Sequence, residues 1–430
     1  MNGTQVIHTE LVSYRINPRK IWFPGLVVGG GVLVVAALLG LTVGGFSNFL
    51  HAYLAAFIFW FGISCGCIGL TMLHHLTGGR WGDVIRPLLE SGAKTLPLMA
   101  VLFIPIIAGM KQIYPWMQSE DLMTESVRHQ HDIWNYPVFF IIRAVIYFAV
   151  LSVMVFALLR KYRLRDEMAV QDPEHNSGAF FRLLSGPGIV VFGIIVSMAL
   201  FDWGMATQPG WYSTIYGLLG VVSQALSTLA LMTIVLVLIL RTHEMNHGDG
   251  ALSGHHWSLV GKNDWHDLGN LMFATTMLWG YMSLSQMLIT YSGHLPAETI
   301  FYNFRSINGW QYVGGFLIAL HFCLPFLLLL LRDIKRDPKK LVWVALFILI
   351  VRQLDLYYQV HPSYSDGFRF FQADGKTQEV LYKVDSAIGW HTFFNLLTPI
   401  GIGGLWLAFF AWNLKDRRVL PAPPQEEHHG

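Results

Sequence analysis

Runs of about twenty apolar residues recur down this chain, and a run of that length, wound as an α-helix, matches the thickness of a bilayer core. Backbone polar groups in hydrocarbon must be satisfied within the segment, which helices achieve on their own. The fold class read from this pattern is an all-α polytopic membrane protein with ten transmembrane helices. The spans are 22–43, 49–73, 95–110, 137–159, 188–205, 211–240, 268–291, 310–331, 341–360 and 390–412. The third is the shortest and carries Pro97 and Pro105. Composition agrees, because 53% of the 430 residues are hydrophobic and 13% are charged, about half the charged share of a soluble domain.

Orientation follows from the basic residues, which concentrate on the cytoplasmic side of membrane proteins. Twenty-one of the 29 Lys and Arg fall at the N-terminus, at the C-terminus or in alternate loops, among them KYRLR, RDIKRDPKK and KDRR. Both termini are therefore expected in the cytoplasm. Trp116, Trp134, Trp203, Trp211, Trp310, Tyr357 and Tyr358 form the aromatic belt of the outer loops. The expected organisation is a cytoplasmic segment (1–21), a membrane domain (22–413) and a cytoplasmic tail (414–430). Spans within 49–206 and 211–360 make two four-helix bundles flanked by helices one and ten. The first run follows Arg15, Arg19 and Lys20, is too long for a signal sequence and lacks an A-x-A site, so it reads as a retained helix.

A net charge of +2 leaves no footprint for nucleic acid. The three cysteines, Cys65, Cys67 and Cys323, lie in apolar runs, and there is no CxxCH. The chain binds neither covalent haem nor an iron–sulfur cluster by this reading, so electron carriers belong to other chains. Paired axial histidines for b-type haem are not evident either. Cys65 and Cys67, with Gly62, Gly66 and Gly69, read as a small-residue packing seam.

The segment HEMNH, 243–247, matches the H-E-x-x-H pattern in which two imidazoles on one helical face hold zinc. Arg241 marks the exit of the sixth span, and Gly248-Asp249-Gly250 ends the helix, so the pair lies on a last exposed turn. Imidazoles there also suit the helix macrodipole. With His255, His256 and His266 nearby, the loop can collect protons near neutral pH. No metal ligand and no catalytic residue is assigned.

Charged groups within spans are expensive and mark sites or pathways more specifically. Arg143, Asp202, Gln286, Arg352 and Asp355 fall in the outer part of the membrane, and His321 falls near its middle. Together they have the makings of a quinone headgroup site or a proton route. They can equally be neutralising pairs, Arg352 with Asp355 at i, i+3 and Arg143 with Asp202 across a bundle. His74 and His75, at the inner end of the second span, can admit protons or be a solvated helix end. His51 and His391 lie near outer helix ends, where solvation explains them.

Several stretches together carry a resemblance: FWFGISCGCIGLTMLHHLTGGRWG, FDWGMATQPGWYSTIYG, DLGNLMFATTMLWGYMSLSQMLI, HFCLPFLLLLLRDIKR and VRQLDLYYQVHP. From the second to the ninth span the chain resembles one family of membrane proteins of bacterial alternative complex III, labelled quinol:cytochrome c oxidoreductase quinone-binding subunit 2. The resemblance implies a fold similar to the NrfD-type membrane proteins of polysulfide reductase. It also implies residence in the bacterial inner membrane within a quinol-oxidising respiratory complex.

Implied partners are an NrfD-like sister subunit, an iron–sulfur protein, c-type cytochromes, a small single-helix subunit and a terminal oxidase, together with menaquinol or ubiquinol and lipid. Haem c and iron–sulfur clusters would sit in those partners. Quinol oxidation belongs more to the sister subunit, which leaves this chain scaffold and proton translocation, with quinone as the one small molecule it could hold. The family-like positions are Asp202, Gln286, His321 and Asp355. In YSGHLPAET, His294 and Ala297 stand where the family pattern has Asn and Glu. Two rival readings are an intramembrane zinc metalloprotease, which predicts bound zinc, and a secondary transporter, which predicts paired Gly/Pro breaks in the two halves.

Overall fold

The computed structural model describes residues 19–117, 137–171, 178–208, 211–246, 260–363 and 386–415. The described residues are helical apart from short connections and contain no strand. The first half holds α1 (Arg19–Leu39), α2 (Phe46–Thr77), α3 (Arg80–Ala93), α4 (Leu96–Leu102), α5 (Ile104–Ala108), α6 (Met110–Ile113), α7 (Pro137–Gln171) and α8 (Gly178–Trp203). The second half holds α9 (Thr214–Asn246), α10 (Lys262–Gly293), α11 (Pro296–Phe304), α12 (Trp310–Leu317), α13 (Leu324–Leu330), α14 (Arg332–Arg336), α15 (Pro338–Val360) and α16 (Trp390–Asn413). The expectations for 1–18, 118–136, 247–259, 364–385 and 416–430 lie outside the described residues, and with them Trp134, His255, His256 and the tail.

Among the described residues nine helices are long and apolar enough to cross a membrane. This is the architecture of a multi-pass membrane protein. Two expected spans differ. The third is not a short run at 95–110 but begins at Arg80, because the amphipathic α3 buries Trp81, Val84, Ile85, Leu88 and Leu89 before the prolines break its continuation into α4 and α5. The returning segment runs antiparallel to α2, with Ser64 Oγ and Thr95 Oγ1 2.7 Å apart, and Tyr53 donating to the Leu102 carbonyl at 2.7 Å. Arg80, Arg86 and Lys94 therefore belong to this segment.

The seventh expected span, 268–291, is not among the nine apolar helices. It forms α10, 32 residues long, about 48 Å at 1.5 Å per residue. Asn270, Thr275, Thr276, Ser283, Ser285 and Gln286 lower its apolar content. Its ends nonetheless meet both ends of the neighbouring helices: Arg80 grips Asp264 at one, and Ser213 donates to Gln286 near the other.

The core centres on α2, almost all of which is buried. It packs against α3, α8, α9, α15 and α16. Close approach to α9 depends on Gly66, where a Cβ would stand 2.1 Å from Thr228 Oγ1. The flanking α1 and α16 pair with each other through glycine: a Cβ at Gly29 would lie 2.6 Å from the Leu405 nitrogen. Small residues at such contacts let backbones approach where lipid gives no hydrophobic drive.

Breaks are sequence-encoded. Gly78 and Gly79, both at positive φ, turn the chain between α2 and α3. An extended Leu331 separates α13 from α14. Asp337 caps α15, accepting from the Lys339 amide at 2.9 Å, with Pro338 in its first turn.

Candidate functional site

Two buried ion pairs occupy the two halves. In the first, α7 presents Arg143 to Asp202 near the end of α8. The guanidinium is bidentate, with Nε donating to Oδ2 at 2.7 Å and Nη2 to Oδ1 at 3.1 Å. Tyr147, one turn beyond Arg143, donates to Oδ2 at 2.8 Å. Asp202 is 1% exposed. Its two oxygens thus take three charge-matched or polar donors, the condition for tolerating a buried carboxylate.

In the second pair, Arg352 Nη1 donates to Asp355 Oδ2 within α15, one turn apart as the i, i+3 spacing requires. Gln359 Nε2 donates to Oδ1 at 3.0 Å. Facing Asp355 across the interface is His321, whose Nδ1 lies 4.0 Å from Oδ2. His321 sits in a π-helical segment, Ile318–Cys323, joining α12 to α13; such bulges recur at functional sites. Its ring meets Trp279 of α10 edge-on, with centroids 4.1 Å apart.

Both ring nitrogens of His321 are buried without a hydrogen-bond partner among the described residues, as are Trp279 Nε1 and both amide atoms of Gln353. Orphaned polar groups are costly in an apolar interior and usually signal ordered water or a ligand. What this arrangement can do chemically is accept and pass a proton: an imidazole and a carboxylate stand 4.0 Å apart, close enough for exchange through one water, with the Arg352 guanidinium alongside.

A small cavity beside Arg352 is lined also by Ile58, Phe59, Leu200, Gly220, Gln224, Ser227 and Leu356. Leu200, two residues before Asp202, and Arg352 share its wall. Gln224 is 4% exposed, and both its amide atoms lack a partner among the described residues.

The remaining expected residues fall elsewhere. Gln286 accepts from Ser213 Oγ at 2.6 Å and donates to Thr290 Oγ1 at 3.3 Å, so it ties α10 to the start of α9 rather than joining either pair. His74 and His75 sit at the opposite end of the bundle. His74 Nε2 is 3.0 Å from the Gly79 carbonyl and 3.9 Å from Asp83 Oδ1, while His75 Nδ1 is 2.8 Å from Ser185 Oγ. His51 bridges the Ser47 and Ile113 carbonyls at 2.8 and 3.1 Å. For HEMNH, the backbone is helical through Asn246; the side chains of 243–246 and all of His247 lie outside the described residues. Among the described residues no three His, Cys, Asp or Glu side chains group as metal ligands.

Sequence reasoning missed Tyr147, Trp279, Gln224, Gln359 and Arg305. Arg305, just after α11, is 2% exposed. Its Nε, Nη1 and Nη2 donate to the carbonyls of Tyr358, Phe301 and Gln359 at 2.9, 2.8 and 2.6 Å. These carbonyls belong to the last turns of α15 and α11, so the guanidinium caps two helix C-termini at once. Burial lowers its pKa to about 10. The available signal was a lone Arg inside the aromatic stretch FYNFRSINGW.

No family model matches the chain, and no curated protein emerges as a relative.

Proposed function

We propose that the chain is an integral membrane subunit of a quinol-oxidising respiratory complex of the alternative complex III type, working in the bacterial inner membrane as scaffold and proton-translocating element. The observation that carries the proton role is the buried group His321–Asp355–Arg352, with its unsatisfied imidazole in a π-helical break. The family assignment rests on the motif resemblance, in which Asp202, Gln286, His321 and Asp355 are the family-like positions. On this reading all ten long helices cross the membrane, α10 included, and both termini face the cytoplasm.

The route enters through His74, His75 or the histidines of 243–266. It passes His321 and discharges from Asp355 toward the outer side, with Arg352 holding the carboxylate in place. Asp202, closed off by Arg143 and Tyr147, is a neutralised structural group rather than a relay. Quinol is oxidised mainly in the sister subunit, and electrons leave through iron–sulfur and haem c subunits to an oxidase.

Purification from native membranes through a tag on this chain tests the family. Co-purifying c-type haem and iron–sulfur iron are expected, and a chain purified without either overturns the assignment. Asp355→Asn tests the route within the assembled complex: quinol oxidation continues with fewer protons moved per electron. An unchanged proton stoichiometry would sink the proton role.

A further inference from the structure

The end of the bundle built from α13, α14 and α15 carries cations that nothing in the two ion pairs uses. Between Arg332 and Lys340 lie Arg332, Lys335, Arg336, Lys339 and Lys340. Against them stand two carboxylates, Asp333 and Asp337, and Asp337 is already engaged: it caps α15 and lies 3.8 Å from Lys340. Lys335 is buried at 8% exposure. Its stem fills the space over Gly269, where a Cβ would meet the Lys335 Cγ at 2.7 Å, and Nζ donates to Asn270 Oδ1 at 2.7 Å.

Among the described residues neither Lys335 nor Arg336 has a carboxylate at ion-pair distance, and Arg336 Nε is buried with no hydrogen-bond partner. The excess is felt by His266 on α10, beside Asn270. Its pKa is lowered by burial and then by Lys335, Arg336 and Arg332, with Asp267 opposing. Five cations set against two carboxylates, one of them already engaged, are an electrostatic match for an anion.

The surface leading away from these cations is apolar. On α15, Lys339, Trp343, Leu346 and Ile350 recur at steps of four, three and four, which is one helical face. Trp343 and Ile350 are 67% and 62% exposed, and Leu346 is also open. On α13, Leu327 and Leu330 lie exposed, and the extended Leu331 that follows is also exposed, just before Arg332. Two apolar stripes thus end at one group of cations, with a tryptophan at the level where headgroups meet hydrocarbon.

We infer that the α13–α14–α15 corner binds an anionic phospholipid, its phosphate held by Arg332, Lys335 and Arg336 and its acyl chains lying along Leu327, Leu331, Trp343 and Ile350. Of the anions such a cluster can take, a phospholipid matches both halves of the surface, since free phosphate has no use for the apolar stripes. Basic pockets beside helix ends hold lipid headgroups by the same combination of charge and burial. The inference is independent of the proton route and of the family assignment.

The test uses the full chain in the assembly with which it leaves the membrane, stripped of loosely held lipid in detergent. Dioleoylphosphatidylglycerol should raise its Tm in a saturable manner, while dioleoylphosphatidylcholine and sodium phosphate at equal concentration should not. The double variant Arg332→Gln/Arg336→Gln should bind the lipid about tenfold more weakly, as expected for a lost charge-assisted contact. Should that variant fold poorly, Lys339→Gln/Lys340→Gln on the exposed first turn of α15 should reduce affinity by a smaller factor.

Equal stabilisation by phosphatidylcholine would reduce the site to an apolar surface, and equal stabilisation by phosphate would make it a free-anion site; either result overturns the inference. A benzophenone amino acid at Trp343, irradiated in native membranes, should cross-link to phosphatidylglycerol. A cross-linked polypeptide instead would mean that a partner protein covers this corner, and the inference would fail.

Discussion

The two ion pairs share a composition, one Arg and one Asp buried among helices, yet they are finished differently. Asp202 receives a bidentate guanidinium and a tyrosine hydroxyl, so its charge is neutralised and its lone pairs are occupied. Asp355 receives Arg352 and Gln359, but the imidazole facing it and the indole packed on that imidazole have polar atoms left over. A saturated pair is what stable burial of charge requires. An unsaturated one retains the capacity to bind water or exchange protons. On the proposed function, the difference gives structure to the first half and chemistry to the second, although sequence gives both pairs the same letters.

The comparison breaks most directly through single neutralisations. Asp202→Asn leaves Arg143 without its counter-charge inside the bundle and should cost about 3–5 kcal/mol, the usual penalty for stranding half of a buried pair. Thermal unfolding in detergent and membrane yield measure it. Replacing both partners by apolar residues of similar volume, Arg143→Met/Asp202→Met, should recover most of that loss and leave proton coupling unchanged. The matching Arg352→Met/Asp355→Met double should also fold, yet abolish coupling. If the two doubles behave alike, the distinction between the halves is wrong.

Arg305 sharpens the same contrast from outside the spans. Arg305→Met deprives three buried carbonyls of their donors, at about 1–3 kcal/mol for the polar groups left unmet. The last turn of α15 carries Gln359, which orients Asp355. Proton coupling should therefore fall along with stability. Loss of stability with intact coupling would mean that α15 holds its end without the cap.

Replacing His321 reverses the sign. His321→Phe removes two buried nitrogens with no partner among the described residues and keeps a ring for Trp279 to pack against. It should stabilise the protein by about 1–3 kcal/mol while impairing coupling. A variant that is both destabilised and fully coupled would show that His321 is structural.

The apolar runs made the helices legible, and the pairings Arg143 with Asp202 and Arg352 with Asp355 were among the readings the letters allowed. Physical reasons account for the rest. The third span was hidden because α3 is amphipathic: it buries Trp81 and Leu88 while carrying Arg86 and Glu90, which pair with each other at 3.3 Å. The seventh was over-read as an ordinary apolar span, since α10 spends its polar residues on neighbours such as Ser213 and Lys335.

At the site, depth counting along separate helices cannot say which faces meet, so it grouped Gln286 with the charges. It could not see that Tyr147 lies one turn from Arg143 on the face toward α8. Nor does any spacing rule announce a π-helical segment at Ile318–Cys323, which alters which residues of that helix look toward α15.

The smallest expected effect lies at the opposite end of the bundle, on His266. Its folded pKa is lowered, so between that value and the unfolded 6.5 the native protein binds fewer protons than the unfolded chain. Stability then rises with pH across this window, the penalty being complete below the folded pKa and absent above 6.5. His266→Gln should flatten the profile of Tm between about pH 5 and 8 by about 1–2 °C at the acid end. A bound anionic phospholipid, by offsetting Lys335, Arg336 and Arg332, should flatten the wild-type profile in part, since burial is the larger cause and persists. A slope that persists in the variant would place the acid sensitivity on another group, and a slope indifferent to lipid would separate His266 from the cation cluster.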